Sequence, residues 1–146
     1  ELAALTNKEG VTGSLADAMR NADVFIGVSA PNIVAMDMVK SMAMRPILFA
    51  LANPVPEIMP NIAKEAGAFV VATGRSDFPN QINNVLAFPG IFRGALDNKV
   101  RQITDVMLVK AAIALSGLVP VPTAEKILPD PFDTAVVPAV ADAIRE

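Results

Sequence analysis

Three short runs of continuously apolar residues constrain this chain more than any other feature. They are DVFIGVS (23–29), ended by Ala30 and Pro31; PILFALA (46–52), ended by Asn53 and Pro54; and AFVVAT (68–73), ended by Gly74. A strand with one face in water alternates apolar and polar residues, whereas a strand apolar at every position buries both faces, as in a parallel sheet with helices on each side. The intervening stretches fit that reading. Ser14 suits the N-cap of a helix over 15–21, because its hydroxyl can accept from the free amides of a first turn. Ile33, Met36, Met38, Val39 and Met42 recur at helical spacing between the first two runs, and a short helix over 61–66 closes at Gly67 before the third.

Beyond the third run the pattern becomes helical. A helix over 85–96 is interrupted or started by Pro89 and Gly90. A longer one over 97–116 carries Val100, Ile103, Met107, Ala111 and Ala114 on one stripe, with Gly117 as its stop. The Pro-rich run VPVPTAEKILPDPFD should cross the surface extended, with at most a short helix over 124–128. A last helix over 134–145 tolerates Pro138 only in its first turn.

Composition removes several function classes. At 146 residues and 53% hydrophobic content the chain can bury a core of ordinary size. Its 12 basic and 15 acidic residues give a net charge of −3, with no basic cluster of the kind that binds nucleic acid. No apolar run reaches the roughly 18 to 20 residues of a membrane span, and no signal peptide opens the chain, so a soluble cytoplasmic protein is expected. There is no Cys, His, Trp or Tyr. That excludes from these residues a thiolate nucleophile, an imidazole base, a Cys or His metal site and a Ser-His-Asp triad.

Binding chemistry is expected at the strand ends, because ligands of open parallel sheets sit beyond the carboxyl ends of the strands. Those ends read Gly27-Val28-Ser29-Ala30-Pro31, Ala52-Asn53-Pro54 and Thr73-Gly74-Arg75-Ser76-Asp77. Small residues let a flat ring or a ribose approach the backbone. Just downstream, Asn80, Gln81, Asn83 and Asn84 crowd four carboxamides into five positions. A carboxamide offers a donor and an acceptor without changing protonation state. For Asn80 and Gln81 capping and turn formation is the favoured reading, while Asn53 and Asn84 fit a ligand contact and a structural role equally. Arg75 with Asp77 reads as a turn-stabilising pair. Asp130 and Asp133, two carboxylates without a third ligand, make a poor metal site.

The stretches ADVFIGVSAP (22–31), RPILFALANPVPEI (45–58), ATGRSDFPNQINNVLAFPGIFRGALD (72–97) and ILPDPFD (127–133) resemble the carboxyl-terminal part of bacterial malic enzymes. These enzymes oxidise malate with NAD or NADP and decarboxylate the bound oxaloacetate to pyruvate and CO2 with the help of a divalent metal. The resemblance implies the distal half of a doubly wound, Rossmann-like parallel sheet with flanking helices and a helical C-terminal tail. Residues 1–116 would be a partial dinucleotide-binding domain, and 117–146 a Pro-rich crossing segment and terminal helix packed on it. It implies substrate contacts at Asn53, Asn83 and Asn84, and cofactor contacts at Val28, Ser29, Ala30, Ala52, Asn53, Gly74 and Asn84.

Two departures accompany the resemblance. Asn32 stands where a Gly is common after the family's SAP. The family's Tyr and Lys acid-base pair, its metal-binding carboxylates and its Gly-rich phosphate turn have no counterpart here, so no catalytic or metal-binding residue is expected in this chain. The expected function is therefore that of a fragment of an NAD(P)-dependent malic enzyme, inactive alone. NAD or NADP and Mg or Mn would serve the parent enzyme, with the metal held outside the chain. Its partners would be malate or pyruvate, the remainder of the parent and further copies in a homo-oligomer. The alternatives are a non-catalytic interaction or dimerisation half-domain, and a piece of another dinucleotide-dependent dehydrogenase.

Overall fold

A computed structural model describes residues 5–145. The chain divides into two compact units, 1–71 and 72–146. The first unit carries helix α1 (Leu15–Met19), strand β1 (Val24–Gly27), α2 (Met36–Lys40), β2 (Ile47–Ala50) and α3 (Pro60–Glu65). Strand β3 (Val70–Thr73) carries the chain into the second, which continues with one 3-10 turn (Asn84–Leu86), α4 (Phe88–Asp97), α5 (Asp105–Gly117) and α6 (Val136–Ala143). The strands form a three-stranded sheet in the order β1-β2-β3. Strands β1 and β2 run parallel with Val24 opposite Ile47 and Gly27 opposite Ala50, and each successive strand follows a helix. The α/β architecture expected from the three apolar runs is present.

Local chemistry accounts for the elements of the first unit. Ser14 caps α1 in a reciprocal box: its side chain accepts from the Asp17 amide, and the Asp17 carboxylate accepts from the Ser14 amide. Pro60 occupies the first turn of α3, where its missing N–H costs nothing. The core gathers Phe25, Val39, Leu48, Ala50, Ile58, Ala63 and Val71. Full burial of side chains such as Leu48 contributes about 1.5 to 3 kcal/mol each.

The expectation of two buried faces holds for β3, buried at every position, and fails for β1. There only Phe25 and Gly27 are buried, while Val24 and Ile26 are 47% and 63% exposed. Continuous apolarity records that a strand can be covered, and among the described residues nothing covers that face of β1.

In the second unit Ile91, Met107, Ala111, Val140 and Ile144 form a separate core. Helix α6 packs against α4 and α5. The single helix expected over 97–116 is not formed. Helix α4 ends at Asp97, Lys99 adopts φ 52°, and α5 starts only after Thr104, whose Oγ1 accepts from the Met107 amide. The apolar stripe misled because Val100 and Ile103 belong to the connection, where Asn98 Nδ2 donates to the Gly94 and Ile144 carbonyls. Helix α5 is apolar around most of its circumference yet buries only Met107 and Ala111. Val106, Val109 and Ile113 each stay more than half exposed. No helix forms over 124–128; a turn there is closed by mutual hydrogen bonds between Thr123 and Lys126. Pro138 falls in the first turn of α6, as its chemistry requires.

Candidate functional site

In the first unit the ends of β1 and β2 are joined by one carboxylate. The Ser29 N–H donates to Glu57 Oε1 at 2.8 Å, the Ser29 hydroxyl to the same oxygen at 3.4 Å, and the Ala52 N–H to Oε2 at 3.0 Å. Glu57 is fully buried. Two backbone bonds run alongside, from Asn32 N–H to the Pro56 carbonyl and from Val34 N–H to the Glu57 carbonyl. The segment after β1 and the NPVPE turn are therefore laced together. Val28, Ser29 and Ala30 remain exposed on this frame, Ala52 is half-buried, and Asn53 is exposed at the head of the turn with a cis bond to Pro54. The Asn53 carboxamide makes no hydrogen bond among the described residues.

Asn32 has φ 57°, in the left-handed region. Glycine adopts that conformation freely and asparagine is the side-chain-bearing residue that tolerates it best. An asparagine at position 32 is therefore compatible with the conformation of this loop.

The second unit sorts the crowded carboxamides by what each holds. Asn80, at φ 58° and 92% buried, donates through Nδ2 to the Ala124 carbonyl at 2.8 Å and accepts through Oδ1 from the Ile127 N–H at 2.9 Å. It pins the Pro-rich segment. Gln81 pairs with Thr73 in an isolated parallel bridge. Asn83 caps the 3-10 turn, accepting from the Val85 N–H while donating to the Gly74 carbonyl. Asn84, the first residue of that turn, is exposed and its carboxamide bonds to nothing among the described residues. A Cβ on Gly74 would meet only the Ile82 carbonyl oxygen, at an ordinary contact distance of 3.7 Å, so the backbone there is not crowded.

Charged groups nearby are paired. Arg75 grips Asp77 through two hydrogen bonds of 2.8 and 2.6 Å and lies over the Phe78 ring. These bonds lower the Asp77 pKa and raise that of Arg75. Asp130 and Asp133 accept from the backbone two residues on. Among the described residues no three His, Cys, Asp or Glu side chains are grouped to hold a metal, and no helix is long and apolar enough to cross a membrane. A cleft of 330 Å³ beside the Asn80 turn is lined by Phe78, Gln81, Lys126 and Asp130 among others. A larger one of 680 Å³ between α4 and α6 contains none of the strand-end residues.

The residue that sequence reasoning missed is Glu57. Its only signal was an acidic residue closing a turn otherwise made of Pro, Val and Asn, and its partner Ser29 lies 28 positions away.

Comparison with known proteins covers almost the whole chain. The family described as "Malic enzyme, NAD binding domain" matches residues 4–142. The bifunctional malic/malolactic enzyme of Bacillus subtilis is 56% identical over all of this chain and 36% of its own length. The NAD-dependent malic enzyme of Geobacillus stearothermophilus is 52% identical, again over the whole chain, which covers 31% of that enzyme. Among solved structures, the NAD-dependent malic enzyme of Thermotoga maritima superposes with TM-score 0.95 at 49% identity, over 99% of this chain and 38% of that one. The chain thus spans about a third of the length of the curated relatives it matches.

Proposed function

Since the chain belongs to the malic enzyme NAD-binding domain family, we propose that residues 1–146 act as the distal part of the dinucleotide domain of an NAD(P)-dependent malic enzyme, which converts malate to pyruvate and CO2. The observation that carries this reading is the division among the carboxamides. Asn80 and Asn83 are committed to the fold at both ends of their side chains, whereas Asn53 and Asn84 are exposed with unspent donors and acceptors.

In this reading the exposed backbone of Val28, Ser29 and Ala30 packs on the adenosine side of the dinucleotide. Asn53, next to Ala52, reaches the ribose; in the second unit, taken by itself, the uncrowded backbone at Gly74 suits the approach of a flat ring. When bound, the dinucleotide supplies the hydride acceptor. Asn53 of the first unit and Asn84 of the second are each assigned, separately, to substrate: a carboxamide Nδ2 can donate to a carboxylate or hydroxyl oxygen. Both stay neutral throughout, so they position without competing for the proton that leaves the malate hydroxyl. Asn83 supports this arrangement by fixing the turn that carries Asn84. The divalent cation is assigned to residues outside this chain, since Asp130 and Asp133 are spent on their own turns and the described residues offer no cluster of ligands.

The parent works as a homo-oligomer in the cytoplasm in this reading. The exposed apolar sides of β1 and α5 support association, because contiguous apolar surface is costly to leave in water.

The test is malate-dependent reduction of NAD or NADP by the full-length polypeptide that carries residues 1–146, set against these residues alone with Mg or Mn added. Activity is expected only in the first. Turnover by the 146 residues alone would overturn the assignment of base, acid and metal ligands to other sequence.

A further inference from the structure

We infer that Glu57 is a positioning residue for the dinucleotide, holding the ends of β1 and β2 at the spacing that the cofactor loop and Asn53 require. This rests on the function proposed above and names a residue that acts through others. The three donors on the carboxylate come from just beyond the two strands: the Ser29 amide and hydroxyl, two residues after β1, and the Ala52 amide, two residues after β2. One side chain therefore fixes the direction of both exits, and neither the loop over 28–30 nor Asn53 has another side-chain tether of its own. A carboxylate suits the task because each of its oxygens only accepts. Glutamine would set its NH2 against one of the two amide donors, and aspartate is a methylene too short to span them.

Gly27 supplies the independent half of the observation. A Cβ built there would lie 2.5 Å from Glu57 Cδ and 2.6 Å from Oε1. The last residue of β1 is thus bare where the carboxylate passes; an added methyl would crowd the carboxylate without changing its chemistry, and would also press on the Phe25 ring, 2.8 Å away at Cε1.

The experiment compares wild type, Glu57→Gln, Gly27→Ala and the double variant in the full-length polypeptide. It reads dinucleotide Kd, kcat, and hydrogen exchange at the Ser29 and Ala52 amides. In Glu57→Gln exchange should quicken by about tenfold to a hundredfold at the one amide that meets the NH2, and less at the other; in Gly27→Ala, which displaces the whole carboxylate, it should quicken at both. Dinucleotide Kd should rise about tenfold with a much smaller change in kcat. The double variant should bind no more than about twofold worse than the weaker single one, because both changes act on one arrangement. Faster exchange with unchanged Kd in folded Glu57→Gln would reduce Glu57 to a structural brace and overturn the inference while leaving the proposed function standing. If Glu57→Gln fails to fold, unchanged Kd in Gly27→Ala overturns it equally. Wild type that binds no dinucleotide would defeat both readings.

Discussion

Replacing Asn80 separates backbone from side-chain contributions in one turn. Three effects meet there. The carboxamide makes two long-range bonds, to the Ala124 carbonyl and from the Ile127 amide, each contributing about 0.5 to 1.5 kcal/mol net. Their loss exposes no new charge, and both partners are half-buried, so water can recover part of the deficit. The residue also sits at φ 58°, where an ordinary L side chain costs about 1 to 2 kcal/mol. Asn80→Ala should therefore lower stability by about 2 to 3 kcal/mol. Asn80→Gly, which loses the same two bonds but accepts the conformation, should cost about 1 kcal/mol less. Asn80→Asp keeps the acceptor for Ile127 but sets a buried carboxylate oxygen against the Ala124 carbonyl, so it should cost more than Asn80→Gly. The chain has no Trp or Tyr, so urea unfolding should be followed by far-ultraviolet circular dichroism. Equal losses in the Ala and Gly variants would refute the backbone component; a loss below about 0.5 kcal/mol in Asn80→Ala would refute the clasp itself.

Asn53→Ala and Asn84→Ala should behave in the opposite way: in the full-length polypeptide the kcat/KM for malate should fall about tenfold to a hundredfold, with the unfolding midpoint nearly unmoved because neither side chain bonds within the fold. Normal malate kinetics in both would remove them from the site. Gly94→Ala should destabilise the packing of α4 on α6 by more than about 2 kcal/mol, since its Cβ would overlap the Ala141 carbonyl; a neutral result in urea unfolding would show that the helices separate freely. The hydrogen bonds from the Ser14 side chain and backbone hold the Asp17 pKa below the ordinary aspartate value. A depressed folded pKa means a stabilising contribution that is present above the unfolded value and lost as pH falls through the folded one. Ser14→Ala should raise the Asp17 titration midpoint measured by NMR, and an unchanged midpoint would contradict the capping box.

The order of elements was legible because this chain punctuates itself: Pro31, Asn53, Gly67 and Gly74 stop runs whose apolar content is otherwise continuous. Legibility failed where a property depended on distant residues. The stripe through Val100 and Ile103 imitates a helix, but Lys99 and Thr104 end one helix and begin another. Nothing in DVFIGVS tells that Phe25 is covered while Ile26 is not, because that depends on what lies against each face of the sheet. Sequence reasoning nominated candidate positions at the strand ends but could not sort them. Strand-end logic nominates Asn53 and Asn84, yet the distinction between Asn84 and Asn80 rests on bonds spanning 44 and 47 positions, which no local pattern encodes. Glu57 escaped for the same reason.

Among the described residues, six that carry a side chain adopt positive φ, and four of them are asparagines: Asn7, Asn21, Asn32 and Asn80, with Arg45 and Lys99. Only three glycines share that conformation, Gly10, Gly13 and Gly67. The two residue types have divided the labour by handedness and by size. Asparagines take most of the corners that a side-chain-bearing residue turns with positive φ, among them those after α1, before α2 and between β3 and the 3-10 turn. Glycines such as Gly27, Gly90 and Gly94, at ordinary φ, are kept for places where two elements touch and a single carbon atom would not fit. Alanine at Gly27, Gly90 or Gly94 would therefore fail by collision, and at Asn21, Asn32 or Asn80 by chirality.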